Sequence, residues 1–136
     1  MVAFKAFLVA LVVSAVNGRA MLKRNTESAQ EAGQLTYYAP GLGACGYNNG
    51  DGDAVVAISH AIFDPATPGG NPNNNPYCGR KVHITTANGQ GQNYVATVVD
   101  RCVSCNPGDL DATTGVWGAL GVPLGVGRAS LTWDFI

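Results

Sequence analysis

The sequence predicts a small all-β domain that closes into a barrel and is held by disulfides. From residue 33 onward, short apolar or alternating segments are separated by Gly, Asn and Pro, a pattern typical of short strands joined by turns. Four cysteines follow an N-terminal export signal, which favours disulfides over free thiols. About 110 residues remain after processing, enough for one domain with one core. Strands this short, joined by turns, close best as a small barrel.

The first 32 residues are expected to lie outside this domain. Lys5 precedes the uncharged apolar run of residues 6–16 and small residues follow, so residues 1–20 are predicted to be a cleaved signal peptide. The run is too short to cross a hydrocarbon layer of about 30 Å, which disfavours a membrane anchor. The dibasic pair Lys23-Arg24 predicts a short propeptide, and residues 21–32 are expected to form it together with a flexible segment before the barrel at 33–136. The protein is therefore expected to be secreted and extracellular.

Processing would leave an acidic chain. After cleavage behind Arg24, four basic and nine acidic residues remain, a formal net charge of −5. Nucleic acids and anionic membrane surfaces require clustered Lys and Arg, so neither is expected as a partner. A neutral partner is compatible with this balance, and the protein is expected to be a monomer.

Five strands and one helix are predicted along the domain. The strands cover residues 34–39, 54–59, 81–86, 94–100 and 130–135. The second is almost wholly apolar and is expected to be buried on both faces, whereas the third and fifth alternate, with Trp133 on an inward face. The helix covers residues 112–120, with Asp111 as its N-cap and with Trp117 and Leu120 facing the core.

The four cysteines allow three disulfide connectivities. Cys102 and Cys105 are close enough in sequence to pair locally, which would leave Cys45 with Cys78. In the alternative, residues 102–105 are a redox or zinc motif. Zinc needs four ligands, and Asn-Pro-Gly follows where a thioredoxin-like site would need a helix. Structural disulfides are favoured, and no metal or cofactor is expected.

Five short motifs occur in order along the domain. They are Thr36-Tyr37-Tyr38, Gly43-Ala44-Cys45-Gly46-Tyr47, Cys78-Gly79, Val99-Asp100-Arg101-Cys102 with Cys105, and Asp109-Leu110-Asp111. This series resembles the double-psi β-barrel of the expansin N-terminal domain, of barwin and of rare lipoprotein A. It is most similar to the fungal single-domain expansin-like proteins called loosenins.

This resemblance covers residues 33–136 and implies a six-stranded barrel with an open groove and a Cys45–Cys78 disulfide. It also implies that the protein binds and loosens cell-wall polysaccharide (cellulose, chitin or a peptidoglycan-like glycan) without hydrolysis. The second, carbohydrate-binding domain of expansins is expected to be absent, because the chain ends directly after the last predicted strand.

The resemblance also implies which residues line the groove. Asp111 and Asp100 would be its acid or polar groups, and two neighbouring carboxylates raise the pKa of one of them. In the structural alternative, Asp111 caps the helix and Asp100 accepts hydrogen bonds from a turn. Thr36 would supply a further polar contact to sugar.

Aromatic side chains are candidates for contact with the apolar face of a sugar ring. Tyr37 and Tyr38 project to opposite sides of their strand, so only one of them can face the groove. Trp117 either packs under the helix or stands at the groove edge. All three are candidate substrate-binding residues.

Enzymatic and inhibitory functions are alternatives. Residues 33–47 contain no Asp or Glu, where related endoglucanases carry a catalytic base, so an enzyme is not the favoured interpretation. Asp111 would be the general acid of a weak endoglucanase or of a lytic transglycosylase, which needs only one acid/base group. A cysteine-protease inhibitor or a defence or effector protein on the same barrel is a third hypothesis, in which the Asn- and Pro-rich loop 71–76 could contact the partner.

Overall fold

The computed structural model describes residues 29–86 and 93–136, so the predicted signal peptide and residues 21–28 of the predicted propeptide lie outside the described residues. The strands are β1 (Glu31–Tyr37), β2 (Gly41–Leu42), β3 (Asn48–Asn49), β4 (Val55–Ser59), β5 (Lys81–Thr86), β6 (Asn93–Cys102), β7 (Leu110–Ala112) and β8 (Ala129–Phe135). The α-helices are α1 (His60–Phe63) and α2 (Thr114–Ala119), and 3-10 turns cover Asp64–Ala66, Pro68–Gly70, Pro72–Asn74 and Leu124–Val126. Within the two described ranges, no helix has both the length and the apolarity to cross a membrane.

Six strands close into a barrel in the spatial order β1–β7–β4–β6–β5–β8, which confirms the predicted fold class. The β1–β7 and β4–β6 pairs are parallel and the other four pairs are antiparallel. β2 and β3 form a separate two-stranded hairpin. Among the barrel strands, only β5 and β6 are neighbours both in the chain and in the sheet, so the barrel depends on contacts between distant parts of the sequence.

The barrel interior is the hydrophobic core. All five residues of β4 are buried, and β5 alternates with Val82 and Ile84 inside, both as predicted. Trp133 of β8 is fully buried, and its indole N–H donates a hydrogen bond to the Gly108 carbonyl at 2.8 Å. The polar tip of this large side chain is therefore satisfied inside the core.

The first strand begins earlier than predicted. It starts at Glu31 rather than at residue 34, because it pairs antiparallel with β8 from Glu31 to Leu35. Glu31 and Ala32, expected to belong to a flexible segment, are therefore part of the barrel sheet.

The predicted start of the helix at residue 112 is wrong. Residues 110–112 form β7, held extended by parallel pairing with β1 and antiparallel pairing with β4. Helix α2 starts at Thr114, and its N-cap is Thr113, whose hydroxyl accepts a hydrogen bond from the Val116 N–H. Asp111 is therefore a strand residue and not a helix cap, since strand pairing overrides local helix preference.

Both disulfides have the predicted partners. Cys45 is bonded to Cys78, which ties the loop after β2 to the segment before β5. Cys102 is bonded to Cys105, which closes the turn after β6. All four cysteines are thereby used, which excludes the zinc interpretation of residues 102–105 in this oxidised state.

Gly108 is expected to be one of the least replaceable residues of the fold. Its φ is +88°, and a Cβ there would lie 2.3 Å from the Ala32 carbonyl oxygen. Gly108→Ala should therefore lower the free energy of unfolding by about 3 kcal/mol or more in urea titrations, because left-handed strain and a backbone clash add. Gly121→Ala is the control, since φ is +70° with no atom within 4 Å, and should cost only about 1 kcal/mol. Equal losses for the two variants would contradict the clash.

Candidate functional site

Four residues form one row across four adjacent strands. Thr36 of β1 pairs with Asp111 of β7, which pairs with Ala57 of β4, which in turn pairs with Asp100 of β6. Since neighbouring strands lie about 4.8 Å apart, the backbones of Asp111 and Asp100 are separated by about 10 Å. Tyr38 lies two residues beyond Thr36, on the same side of the chain. We call the surface formed by Thr36, Tyr38, Ala57, Asp100 and Asp111 the acidic face.

Asp111 is the half-buried carboxyl of the acidic face. Its Oδ1 accepts a hydrogen bond from the Thr36 hydroxyl at 3.0 Å. Burial raises the pKa of Asp111 and the charge of Asp100 raises it further, while the Thr36 hydrogen bond partly offsets both effects. Asp111 therefore holds a proton at higher pH than an ordinary aspartate, as an acid or a neutral hydrogen-bond donor must.

Asp100 has a structural task at its Oδ1 atom. This oxygen accepts hydrogen bonds from the backbone N–H groups of Ala44 at 2.7 Å and Arg101 at 2.8 Å. The contact fastens the 43–46 loop to the end of β6. Gly43 is required beside it, because a Cβ there would lie 2.6 Å from the Val99 carbonyl oxygen. Asp100 thus accepts backbone hydrogen bonds from a turn, as the structural alternative of the sequence analysis predicted. Its side chain also remains half-buried on the acidic face.

Tyr38 is the tyrosine that the acidic face contains. Its ring packs against Ala57 and the Cys102–Cys105 disulfide. Its hydroxyl is buried and has no hydrogen-bond partner of good geometry among the described residues. It lies close enough to Asp100 to interact electrostatically with that carboxylate. Burial is the main cause of its strongly raised pKa, and the charges of Asp100 and Asp111 add to it. Tyr38 therefore stays a neutral phenol, with its hydroxyl close to Asp100.

Trp117 lies beneath the acidic face, as its predicted inward position on the helix requires, so the alternative prediction of a sugar contact at the groove edge is wrong. It is fully buried, and its indole N–H donates to the Thr36 carbonyl at 2.9 Å. Tyr37, which is 43% exposed, packs edge-on against this indole with ring centroids 5.1 Å apart. Trp117 thus supports Thr36 and Tyr37, and of the two aromatic side chains Tyr37 is the accessible one.

One charged pair beside the acidic face escaped prediction from the sequence. Arg101 donates from Nε and Nη2 to the two carboxylate oxygens of Asp64, at 2.5 and 2.6 Å. Arg101 belongs to the same motif as Asp100, but nothing in the sequence places Asp64 opposite it. Within the described part of the chain, no three His, Cys, Asp or Glu side chains group closely enough to hold a metal ion.

The raised pKa of Asp111 predicts a specific pH dependence of stability. Between the ordinary carboxyl value of 3.8 and the raised folded value, the folded chain binds more protons than the unfolded chain. The free energy of unfolding that the Asp111 carboxyl contributes is therefore fully present below pH 3.8. It is lost as the pH rises from 3.8 through the raised pKa of the folded state. Urea unfolding should be measured from about pH 3 to about pH 7. As the pH rises, the urea midpoint of Asp111→Asn should increase relative to that of the unsubstituted protein. A difference between the two urea midpoints that does not vary with pH would contradict the raised pKa of Asp111.

Comparisons of sequence identify relatives that are longer than this chain. No protein-family profile matches it. A homologue of allergen Asp f 7 from Arthroderma benhamiae is 38% identical over 82 residues, which are 60% of this chain and 26% of that protein. Putative ripening-related protein 6 of Oryza sativa subsp. japonica is 36% identical over 99 residues, 69% of this chain and 53% of that protein. The chain thus spans about a quarter to a half of the length of these curated relatives.

Comparisons of structure confirm the double-psi β-barrel. The Streptomyces papain inhibitor matches with a TM-score of 0.69 and 32% identity, over 82% of this chain and 97% of the inhibitor. A mutant Clavibacter michiganensis expansin in complex with cellohexaose matches with a TM-score of 0.63 and 21% identity, over 79% of this chain and 50% of the expansin chain. At that identity, the likeness to expansin concerns the fold.

Proposed function

This chain belongs to the family of double-psi β-barrel proteins that includes the Streptomyces papain inhibitor, and we propose that it is a secreted protein that binds cell-wall polysaccharide through its acidic face without hydrolysis. The proposal includes the loosenin-like activity implied by the sequence motifs, in which bound chains are loosened from their neighbours. Secretion is supported by two disulfides, which persist in oxidising compartments, and by the predicted signal peptide of residues 1–20.

The observation that carries the proposal is the row from Thr36 to Asp100. It presents the Thr36 hydroxyl, the Asp111 carboxyl with its raised pKa and, one strand beyond Ala57, the carboxyl of Asp100. The partly exposed ring of Tyr38 adds an aromatic surface to the same face. Sugar rings require this combination of hydrogen-bonding groups and a flat apolar surface. The expansin of the same fold holds cellohexaose, which supports a glucan as ligand.

Loosening needs no bond cleavage. Each hydrogen bond between polysaccharide chains contributes only about 1 kcal/mol net in water, so alternative partners on a protein surface can compete for it locally. Binding is expected to be weak, since association costs several kcal/mol in lost translational and rotational freedom.

Hydrolysis is disfavoured by the surroundings of the two carboxyls. An inverting glycosidase needs a base that activates water on the opposite side of the bond from the acid. Asp100 is the other carboxyl of the acidic face, and its Oδ1 holds the 43–46 loop through two backbone N–H groups. Glu31 lies five residues before Thr36 on β1, about 17 Å away along the strand. On β1, where related endoglucanases carry their base, no carboxyl therefore lies close enough to Asp111 to serve as that base.

Incubation with cellulose, chitin and peptidoglycan tests the proposal. We expect mechanical weakening of the insoluble material and measurable binding, without soluble sugars. Release of reducing ends would instead establish a hydrolase, and anhydro-sugars a lytic transglycosylase. Failure to bind any of the three materials would refute the proposed function.

Cysteine-protease inhibition is the second candidate, and one comparison favours it. The likeness to the Streptomyces papain inhibitor extends over nearly all of that protein and is well above the identity shared with expansin. Titration of papain with this protein tests the candidate. A stoichiometric loss of papain activity, in a sample that neither binds nor weakens polysaccharide, would replace the first proposal by this one.

A further inference from the structure

A cavity lies beside the acidic face at the end of β6. It has a volume of about 360 Å³ and is lined by Phe63, Asp64, Thr67, Gly70, Pro72 and Arg101. This volume is at the small end of the range of about 300–1,000 Å³ that is typical of small-molecule sites, so it suits a ligand of one or two rings. The acidic-face residues are not among its walls, so the cavity is a separate place on the molecule.

The polar wall of this cavity is the ion pair of Arg101 and Asp64. Two guanidinium N–H groups are bonded to the two carboxylate oxygens, which fixes both side chains in one plane. Arg has five N–H donors and a carboxylate has about four acceptor positions, so both groups retain unused capacity for a ligand. Their side chains are 33% and 45% exposed, which leaves them accessible from solvent.

The charges of this wall select against ionic ligands. An anion at the guanidinium would have to compete with Asp64, and a cation at the carboxylate would have to compete with Arg101. A neutral ligand with adjacent hydroxyl groups can instead accept from one partner and donate to the other without separating them. Pro72 supplies an accessible apolar part of the wall, and fully buried Phe63 lies beneath it. The combination matches one ring of a neutral sugar.

The cavity lies at the same end of β6 as Asp100. Arg101 and Asp100 project to opposite sides of this strand, so a glycan that passes over this end of the barrel can contact both the cavity and the acidic face. Arg101 follows Asp100 directly in β6, and its backbone N–H donates to the Asp100 carboxylate. Thr67 holds the opposite wall, since its hydroxyl donates to the Phe63 carbonyl and accepts from the Asn75 side-chain amide. The wall is thus built from hydrogen-bonded residues and not from a free loop tip.

We propose that this cavity is a subsite for one sugar ring of a neutral glycan, with the Arg101–Asp64 pair as its hydrogen-bonding wall. The subsite rests on the proposed polysaccharide binding, because it takes a ring of a chain that also contacts the acidic face. It differs from the acidic face in that its two charged groups, Arg101 and Asp64, carry opposite charges that cancel.

Titration of the ¹⁵N-labelled secreted protein with cellohexaose and with chitohexaose tests the subsite. The Arg101 Nε–H signal reports on the cavity, and the Thr36 and Ala44 amides report on the acidic face. We expect both sets of signals to shift with one of the two hexasaccharides. Asp64→Asn should then weaken its affinity by roughly tenfold and abolish the Arg101 Nε–H shift.

Asp51→Asn is the matched control, because it also removes one exposed carboxylate but lies in the 50–53 loop away from the cavity. Its affinity for the hexasaccharide should be unchanged. If the acidic-face amides shift while the Arg101 Nε–H signal does not, the subsite is refuted and the proposed function survives. If neither region responds to either hexasaccharide, the subsite is refuted as well, and the proposed function is then decided separately by the binding assay on cellulose, chitin and peptidoglycan.

Discussion

Replacement of Asp111 by Asn is expected to abolish wall loosening and to weaken polysaccharide binding by roughly tenfold or more, while the protein stays folded. The amide keeps the size of the side chain but can neither release nor take up a proton. It also loses the charge-assisted hydrogen bonds of the ionised form, which are about twice as strong as neutral ones. The fold should persist because Asp111 lies outside the barrel core and its burial already disfavours the charged form.

Extension of cellulose paper under constant load measures this loss, and a cellulose pull-down measures binding. Asp134→Asn is the control, since Asp134 is a carboxylate of β8 that faces His83 of β5 and not the acidic face. It should loosen cellulose like the unsubstituted protein. Thr36→Val should fall between the two, because it removes only the hydroxyl that hydrogen-bonds to Asp111. A folded Asp111→Asn variant that still weakens the paper would remove Asp111 from the mechanism.

Removal of the Cys45–Cys78 disulfide by double replacement with Ser is expected to lower the free energy of unfolding by about 4 kcal/mol. The two cysteines are 33 residues apart, so the bridge excludes many conformations of the unfolded chain. It also secures the loop in which the Cys45 and Ala44 backbone N–H groups bond to Val99 and Asp100. A loss of this size is a large fraction of the stability of a domain of about 110 residues.

The Cys102–Cys105 pair is the comparison for this experiment. Its cysteines are only three residues apart, so its removal should cost about 2 kcal/mol on the same entropic estimate. Urea denaturation of the two double variants under oxidising conditions measures both values. A larger loss of unfolding free energy for the Cys102–Cys105 variant would contradict the loop-entropy estimate. It would show that packing of Tyr38 and Ala57 on that disulfide contributes more than loop closure.

Several features of this protein were determined locally and were therefore predictable from the sequence. The uninterrupted apolar run at residues 55–58 requires a strand buried on both faces, and the alternation in residues 81–86 requires a strand with one buried face. The close spacing of Cys102 and Cys105 permits a local bridge, and the order of the five motifs indicated the double-psi barrel. The strand and disulfide patterns depend on neighbours within a few positions in the chain, whereas the motif series indicated the barrel through its resemblance to a known family.

The site depended on the tertiary structure, because strand register is a property of pairs of distant segments. Residues 110–112 are extended because β1 and β4 pair with them. This pairing makes Asp111 a strand residue on the acidic face and not the helix cap that the local sequence predicts. The same closure buried Trp117 under Thr36 and left Tyr38, rather than Tyr37, beside the two carboxyls. Which residues form a strand was decided by the residues themselves, but which side chains meet was decided by how the barrel closes.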